Sequence, residues 1–138
     1  MDLSTALNWA SERRNGVLIT LRRDGRAQSS DISYAVNNGT FEISLTEDRA
    51  KTKNMRRDHR VTMHITDPAS WSYLSFDSTV ELTATTTDPA DEAGDALVAY
   101  YKAVAGEHDD WDEYRQAMVD QKRLLAIVTP TSVVGQIN

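Results

Sequence analysis

Phe41-Glu42-Ile43-Ser44-Leu45-Thr46, followed by Arg49-Ala50-Lys51-Thr52-Lys53-Asn54-Met55-Arg56-Arg57-Asp58-His59-Arg60, is the stretch that decides the fold. The first segment alternates apolar and polar residues, as a strand with one buried face does. The second holds six of the chain's fifteen Lys and Arg within twelve positions, against one acidic residue, in a protein of net charge −6. Together they describe a strand feeding a short basic helix, with Asp48 or Thr46 placed to cap it. Backbone N–H groups left free at a helix start attract anions. Arg49, Lys51 and Thr52 add a planar fork, a point charge and a hydroxyl at the same end, a donor set suited to a phosphate monoester or diester, although charge alone fits a solvated basic face better.

Working outward, the flanking sequence is rich in strands joined by tight turns. Asp2 to Arg14 carries Leu3, Ala6, Leu7 and Ala10 at helical spacing, with Ser4 as cap. Gly16 to Leu21 is a strand, Arg22-Arg23-Asp24-Gly25 a hairpin turn, and Ala27 to Val36 the partner strand. Asn37-Asn38-Gly39 turns the chain into Phe41–Thr46, which completes a three-stranded meander. Beyond the basic segment, Val61, Met63 and Ile65 alternate with Thr62, His64 and Thr66. Trp71 to Phe76 and Thr79 to Thr86 form two more strands around Asp77-Ser78. The period then becomes helical through Ala93, Ala96, Leu97, Tyr100, Tyr101 and Val104 until Gly106, and again from Asp110 to Gln121. Leu124 to Thr129 is a buried strand interrupted by Pro130. The pattern predicts a β-rich α+β protein, a single domain over 1–138, with an antiparallel sheet closed toward a barrel and flanking helices.

Composition narrows the function. No apolar run approaches the ~20 residues of a membrane span, and the start lacks the features of a secretory signal, so the expected location is the cytoplasm. The absence of cysteine removes disulfides, thiolate nucleophiles and thiolate zinc sites. An acidic chain with one basic dozen suits a small anion better than nucleic acid, whose binding needs a broad basic surface. The glycines Gly16, Gly25, Gly39, Gly94, Gly106 and Gly135 are too scattered for a dinucleotide or phosphate loop. No histidine pair has metal-ligand spacing, no serine elbow occurs, and the acidic group Asp109, Asp110, Asp112 and Glu113 fits helix capping rather than calcium. An anion seat without a nucleophile or a metal leaves the chemistry to a bound cofactor.

Three segments carry a resemblance. Arg49 to Asp58, then Trp71-Ser72-Tyr73, then Ala105-Gly106-Glu107-His108 through Trp111-Asp112-Glu113-Tyr114-Arg115-Gln116-Ala117-Met118, resemble in order and spacing the actinobacterial deazaflavin-dependent branch of the pyridoxamine 5'-phosphate oxidase-like split β-barrel superfamily. The resemblance implies a homodimer of FMN-binding-type split barrels, each interface site holding coenzyme F420 by its phospholactyl-oligoglutamate tail. It places Arg49, Lys51 and Asn54, with Thr52 beside them, at the phosphate and tail, Gln28 and Ser30 along the deazaflavin ring, and Trp71 near the cofactor across the interface. The implied activity is that of an F420H2-dependent reductase passing hydride to a conjugated or quinone-like organic acceptor. A non-catalytic F420-binding or storage protein and an FMN-dependent oxidase remain open alternatives, because the basic motif alone does not separate the two flavin-type tails. Catalytic side chains are not identified; Tyr34 and Tyr73 are proton-donor candidates by chemistry only. Asp31 departs from the family pattern, which has a neutral residue after Ser30.

Overall fold

The computed structural model describes residues 1–138. Helix α1, Leu3–Ser11, is shorter than the sequence pattern suggests, and its cap is Asp2 rather than Ser4: Asp2 Oδ1 accepts the Thr5 N–H at 2.8 Å. Its Ala6, Trp9 and Ala10 are buried.

Strands β1, Asn15–Leu21, and β2, Ala27–Ser33, form the expected hairpin, with Gly25 supplying the positive φ of its turn. The strand expected over Ala27–Val36 is broken at Tyr34. That side chain turns into the core, 1% exposed, where its hydroxyl donates to the Ala10 carbonyl at 2.7 Å and its backbone N–H to the Arg14 carbonyl. The chain resumes as β3, Ala35–Asn37, paired with β4, Thr40–Thr46, across Asn38 and Gly39, both at positive φ.

Helix α2, Ala50–Arg57, leads to strand β5, Arg60–Asp67, which buries Val61, Met63 and Ile65 as its alternation requires. A 3-10 turn, Pro68–Ser70, then Trp71 in the left-handed region, introduces strand β6, Ser72–Leu82. Helices α3, Glu92–Ala105, and α4, Trp111–Asp120, are capped by Asp91 and Asp110, and strand β7, Arg123–Gln136, ends the fold. Two expectations are corrected here. The pair of strands expected around Asp77-Ser78 is one strand, and Pro130 does not interrupt β7. Asp77 faces Ser132 while Ser78 faces Pro130, so Thr131 is the extra residue of a bulge. A bulge is where a ladder tolerates a proline's missing N–H.

All pairings are antiparallel, in the order β2-β1-β5-β6-β7-β4-β3, so β4 lies between β3 and β7 and the expected three-stranded meander is two hairpins at opposite ends of the sheet. Both edges belong to one run of chain, Ala27–Asn37, which forces the sheet to curl into a split barrel. Leu18, Phe41, Met63, Leu74 and Phe76 fill it, with Phe41 edge-on to Tyr34 and Phe76 at centroid distances of 5.3 and 5.0 Å. A second cluster, Leu97, Tyr100, Tyr114, Met118 and Leu125, packs α3 and α4 against β7. No helix is long and apolar enough to cross a membrane.

Tyr34 closes the strand break and seats α1, so Tyr34→Phe removes its side-chain bond to the Ala10 carbonyl, which keeps the Arg13 N–H, and should cost about 0.5–1.5 kcal/mol in urea unfolding. An unchanged midpoint would show that the hydroxyl does not hold this junction.

Candidate anion-binding site

The inward face of α2 is fixed before its outward face can do anything. Met55 and Thr52 are fully buried, and the Thr52 hydroxyl donates to the Thr46 carbonyl at 2.8 Å. The Asn54 amide donates to Thr20 Oγ1 on β1 and to Gln28 Oε1 on β2, each at 3.1 Å, while its oxygen accepts from Arg57 at 2.9 Å. Thr46 therefore helps to hold the helix through its carbonyl rather than as a cap, and Asp48 does not cap either: Arg49 is the N-cap residue and no side chain satisfies the helix start.

With Thr52 and Asn54 turned inward, Lys51 is left on the side facing a groove of 430 Å³ between β2, β4 and the α3–α4 pair. Arg123, at the start of β7 and directly opposite Thr46 in register, lines the same groove. Partial burial, then the neighbouring charges of Arg49 and Arg123, hold the Lys51 ammonium below the ordinary lysine range. None of these three cations forms an ion pair, although five such pairs exist elsewhere in the chain. Arg123 donates only to neutral oxygens, Gln121 Oε1 at 2.8 Å and Ser44 Oγ at 3.3 Å. Nearby, the Thr46 hydroxyl is buried without a partner, on the strand face it shares with Ser44. Three cations that repel one another, an uncapped helix start and an orphaned hydroxyl describe a seat for a multiply charged anion.

The rest of the groove is aromatic. Tyr100, Tyr101 and Tyr114 line it, giving room for a planar group beside the cations. The Tyr100 hydroxyl donates to the Ser33 carbonyl at 3.3 Å and the Tyr114 hydroxyl to the Leu97 carbonyl at 2.9 Å; burial raises both pKa values, that of Tyr114 to about 12. Both hydroxyls are engaged, so neither is a ready acid.

The residues singled out in the sequence are thus distributed unevenly. Arg49 and Lys51 stand together at the seat, and Gln28 and Asn54 are bonded to each other beneath the helix. Ser30 pairs with Leu18 and shares the inner side of β2 with Gln28. Trp71 lies apart: it is 83% exposed and lines a different cleft with His64, Pro68 and Tyr73. Tyr34 is sealed in the core and is not available as a proton donor, whereas Tyr73 is 43% exposed. Arg123 escaped notice in the sequence because it merely precedes an apolar run; only the pairing of β4 with β7 carries it to Lys51.

These features define a split barrel with an unpaired cationic cluster beside an aromatic groove. Residues 5–136 match the pyridoxamine 5'-phosphate oxidase family, and the chain belongs to it. Among solved structures, an F420 reductase superposes with a TM-score of 0.68 at 23% identity, covering 92% of this chain and 94% of its own. A conserved hypothetical protein from Mycobacterium tuberculosis gives 0.74 at 23% identity, over 98% and 84%. A heme-binding protein from Mycobacterium smegmatis gives 0.71 at 18% identity, over 97% and 53%. At these identities the likeness shows the shared fold.

The crowding of cations has a signature in stability. Because its folded pKa lies below the unfolded value, Lys51 loses its proton earlier in the native state, so its charge destabilises the fold at neutral pH and the penalty fades as pH rises toward about 10.4. Lys51→Met should therefore raise Tm at pH 7 and change it less at pH 10. Pyrophosphate should raise Tm of the unaltered chain more than that of the variant. A lower Tm for the variant at pH 7 would contradict the unpaired cluster.

Proposed function

We propose that this chain is an F420H2-dependent reductase that acts as a homodimer in the cytoplasm and passes hydride to a conjugated or quinone-like organic acceptor. The observation that carries this reading is the unpaired set Arg49, Lys51 and Arg123 at one end of an aromatic groove. The groove residues fit such a cofactor: Lys51 and Arg123 would hold the phosphate and carboxylate groups of its tail, and Tyr100, Tyr101 and Tyr114 would flank a planar ring. When bound, a reduced deazaflavin supplies the hydride. The chain's own contribution is position and charge. Asn54 keeps the helix start in register with β2, and Gln28 and Ser30 extend along the same side of that strand. With the Tyr100 and Tyr114 hydroxyls engaged, the proton that accompanies hydride is assigned to the Tyr101 hydroxyl, to solvent or to the acceptor's own surroundings. Trp71 and Tyr73 leave apolar surface uncovered on the sheet's outer side, where a second copy would pack and bring Trp71 toward the neighbouring site.

Titration with F420 and with FMN, followed through tryptophan fluorescence, tests the cofactor. Micromolar FMN binding without an F420 response would overturn it, and bound F420H2 that is never oxidised across a broad acceptor panel would point to storage instead. Lys51→Ala and Arg123→Ala should each weaken F420 binding by about 2 kcal/mol, roughly thirtyfold, with folding retained. Unchanged affinity in both would remove these cations from the site.

A further inference from the structure

The basic run of the sequence is only part of the protein's positive surface. Arg57, in the last turn of α2, donates to the Leu21 carbonyl at 3.2 Å, where β1 enters its hairpin turn. Leu21 and Arg60 wall one pocket of 360 Å³, so the end of α2, the start of β5 and the turn between β1 and β2 meet at one end of the barrel. Arg22, Arg23 and Arg26 are exposed on the turn. Lys53, Arg56, Arg57 and Arg60 are exposed on the elements beside it. Asp24 pairs with Arg26 at 3.8 Å and Asp58 with Arg60 at 2.8 Å, and Asp77 and Glu81 border this end from β6. Seven cations against these four carboxylates leave +3, whereas the other eight against seventeen leave −9. Arg22, Arg23, Lys53 and Arg56 form no ion pair within the protein. Pairing with the helix dipole explains Arg56 and Arg57, but not three arginines on a separate hairpin brought against them.

We propose that this end of the barrel is a docking surface for an anionic phospholipid bilayer. Six of the seven cations are arginines, whose planar fork pairs bidentately with a phosphodiester headgroup. A second copy of the same face is not the occupant, since a two-fold contact would set like charges against each other. Nor do the surroundings suit nucleic acid. Single strands are held by bases stacked on aromatic rings, and the exposed Trp71 and Tyr73 lie past the far end of β5, roughly 23 Å away by the rise of that strand. Duplex readers lay a helix or ribbon in a groove, whereas α2 is eight residues long and buries Thr52, Asn54 and Met55 against the barrel. A bilayer asks only for several cations on one end, each worth about 1 kcal/mol near an anionic leaflet, and the acidic remainder is screened beyond about 8 Å. Docking of this kind needs neither the cofactor nor the hydride chemistry.

The test is co-sedimentation of the full chain with phosphatidylcholine vesicles, with and without about 30% phosphatidylglycerol, at salt of about 0.05 and 0.5 M. The chain should pellet with the anionic vesicles at low salt, and neither with phosphatidylcholine alone nor at high salt. Arg22→Gln with Arg23→Gln should weaken vesicle binding roughly thirtyfold. Arg14→Gln with Lys102→Gln removes the same total charge at exposed positions elsewhere and should change it less than twofold to threefold. A mixed-sequence DNA duplex of about 20 base pairs, titrated at the same salt, supplies the competing polyanion. Equal pelleting with phosphatidylcholine alone, equal losses in the two double variants, or tighter binding of the duplex than of the anionic vesicles would each overturn the lipid assignment. F420 titration of the same preparations reads the cofactor separately, so either reading can fail without the other.

Discussion

The Asn54 side chain is the constraint on which the site depends. Its amide ties α2 to two strands at once, through Thr20 and Gln28, and its oxygen takes the Arg57 guanidinium. A buried polar network holds position only when every member is satisfied, and here both amide hydrogens and the oxygen are used. The helix consequently cannot roll. Lys51 and Arg49 are kept at the groove even though their mutual repulsion, and that of Arg123, favours spreading apart. A rigid mount lets like charges stay close without a partner, and such stored repulsion is released when an anion arrives.

Much of this was legible in the sequence, and the limits are physical. Period-two alternation located β5, runs of strand-forming residues located β1 and β4, and the Asp-Gly and Asn-Gly turns placed the hairpins, because those signals are local. The break at Tyr34 was not visible. A tyrosine fits a strand on propensity, and only the carbonyl of Ala10, twenty-four residues away, pulls it inward. Pro130 misled in the opposite direction, since the bulge that accommodates it is made by the partner strand's register. At the site, charge density identified Arg49 and Lys51, but residue type could not say that Thr52 and Asn54 face the interior. Both are good donors to a phosphate and equally good staples, and helical position relative to the barrel decides between the two. Membership of the pyridoxamine 5'-phosphate oxidase family, by contrast, rested on spacing over nearly the whole chain and agrees with the resemblance seen at the start.

The net charge of −6 sits oddly beside an anion seat until distances are considered. Fields of exposed charges decay over about 8–10 Å at physiological salt, so the acidic residues elsewhere do little to the potential at α2. Asp31 is the exception because it lines the groove itself. Cations at Lys51 and Arg123 share the groove's wall with that carboxylate. The charges that decide what enters the groove are therefore the three side chains that two strands and one helix place on its wall, and not the sum over the chain.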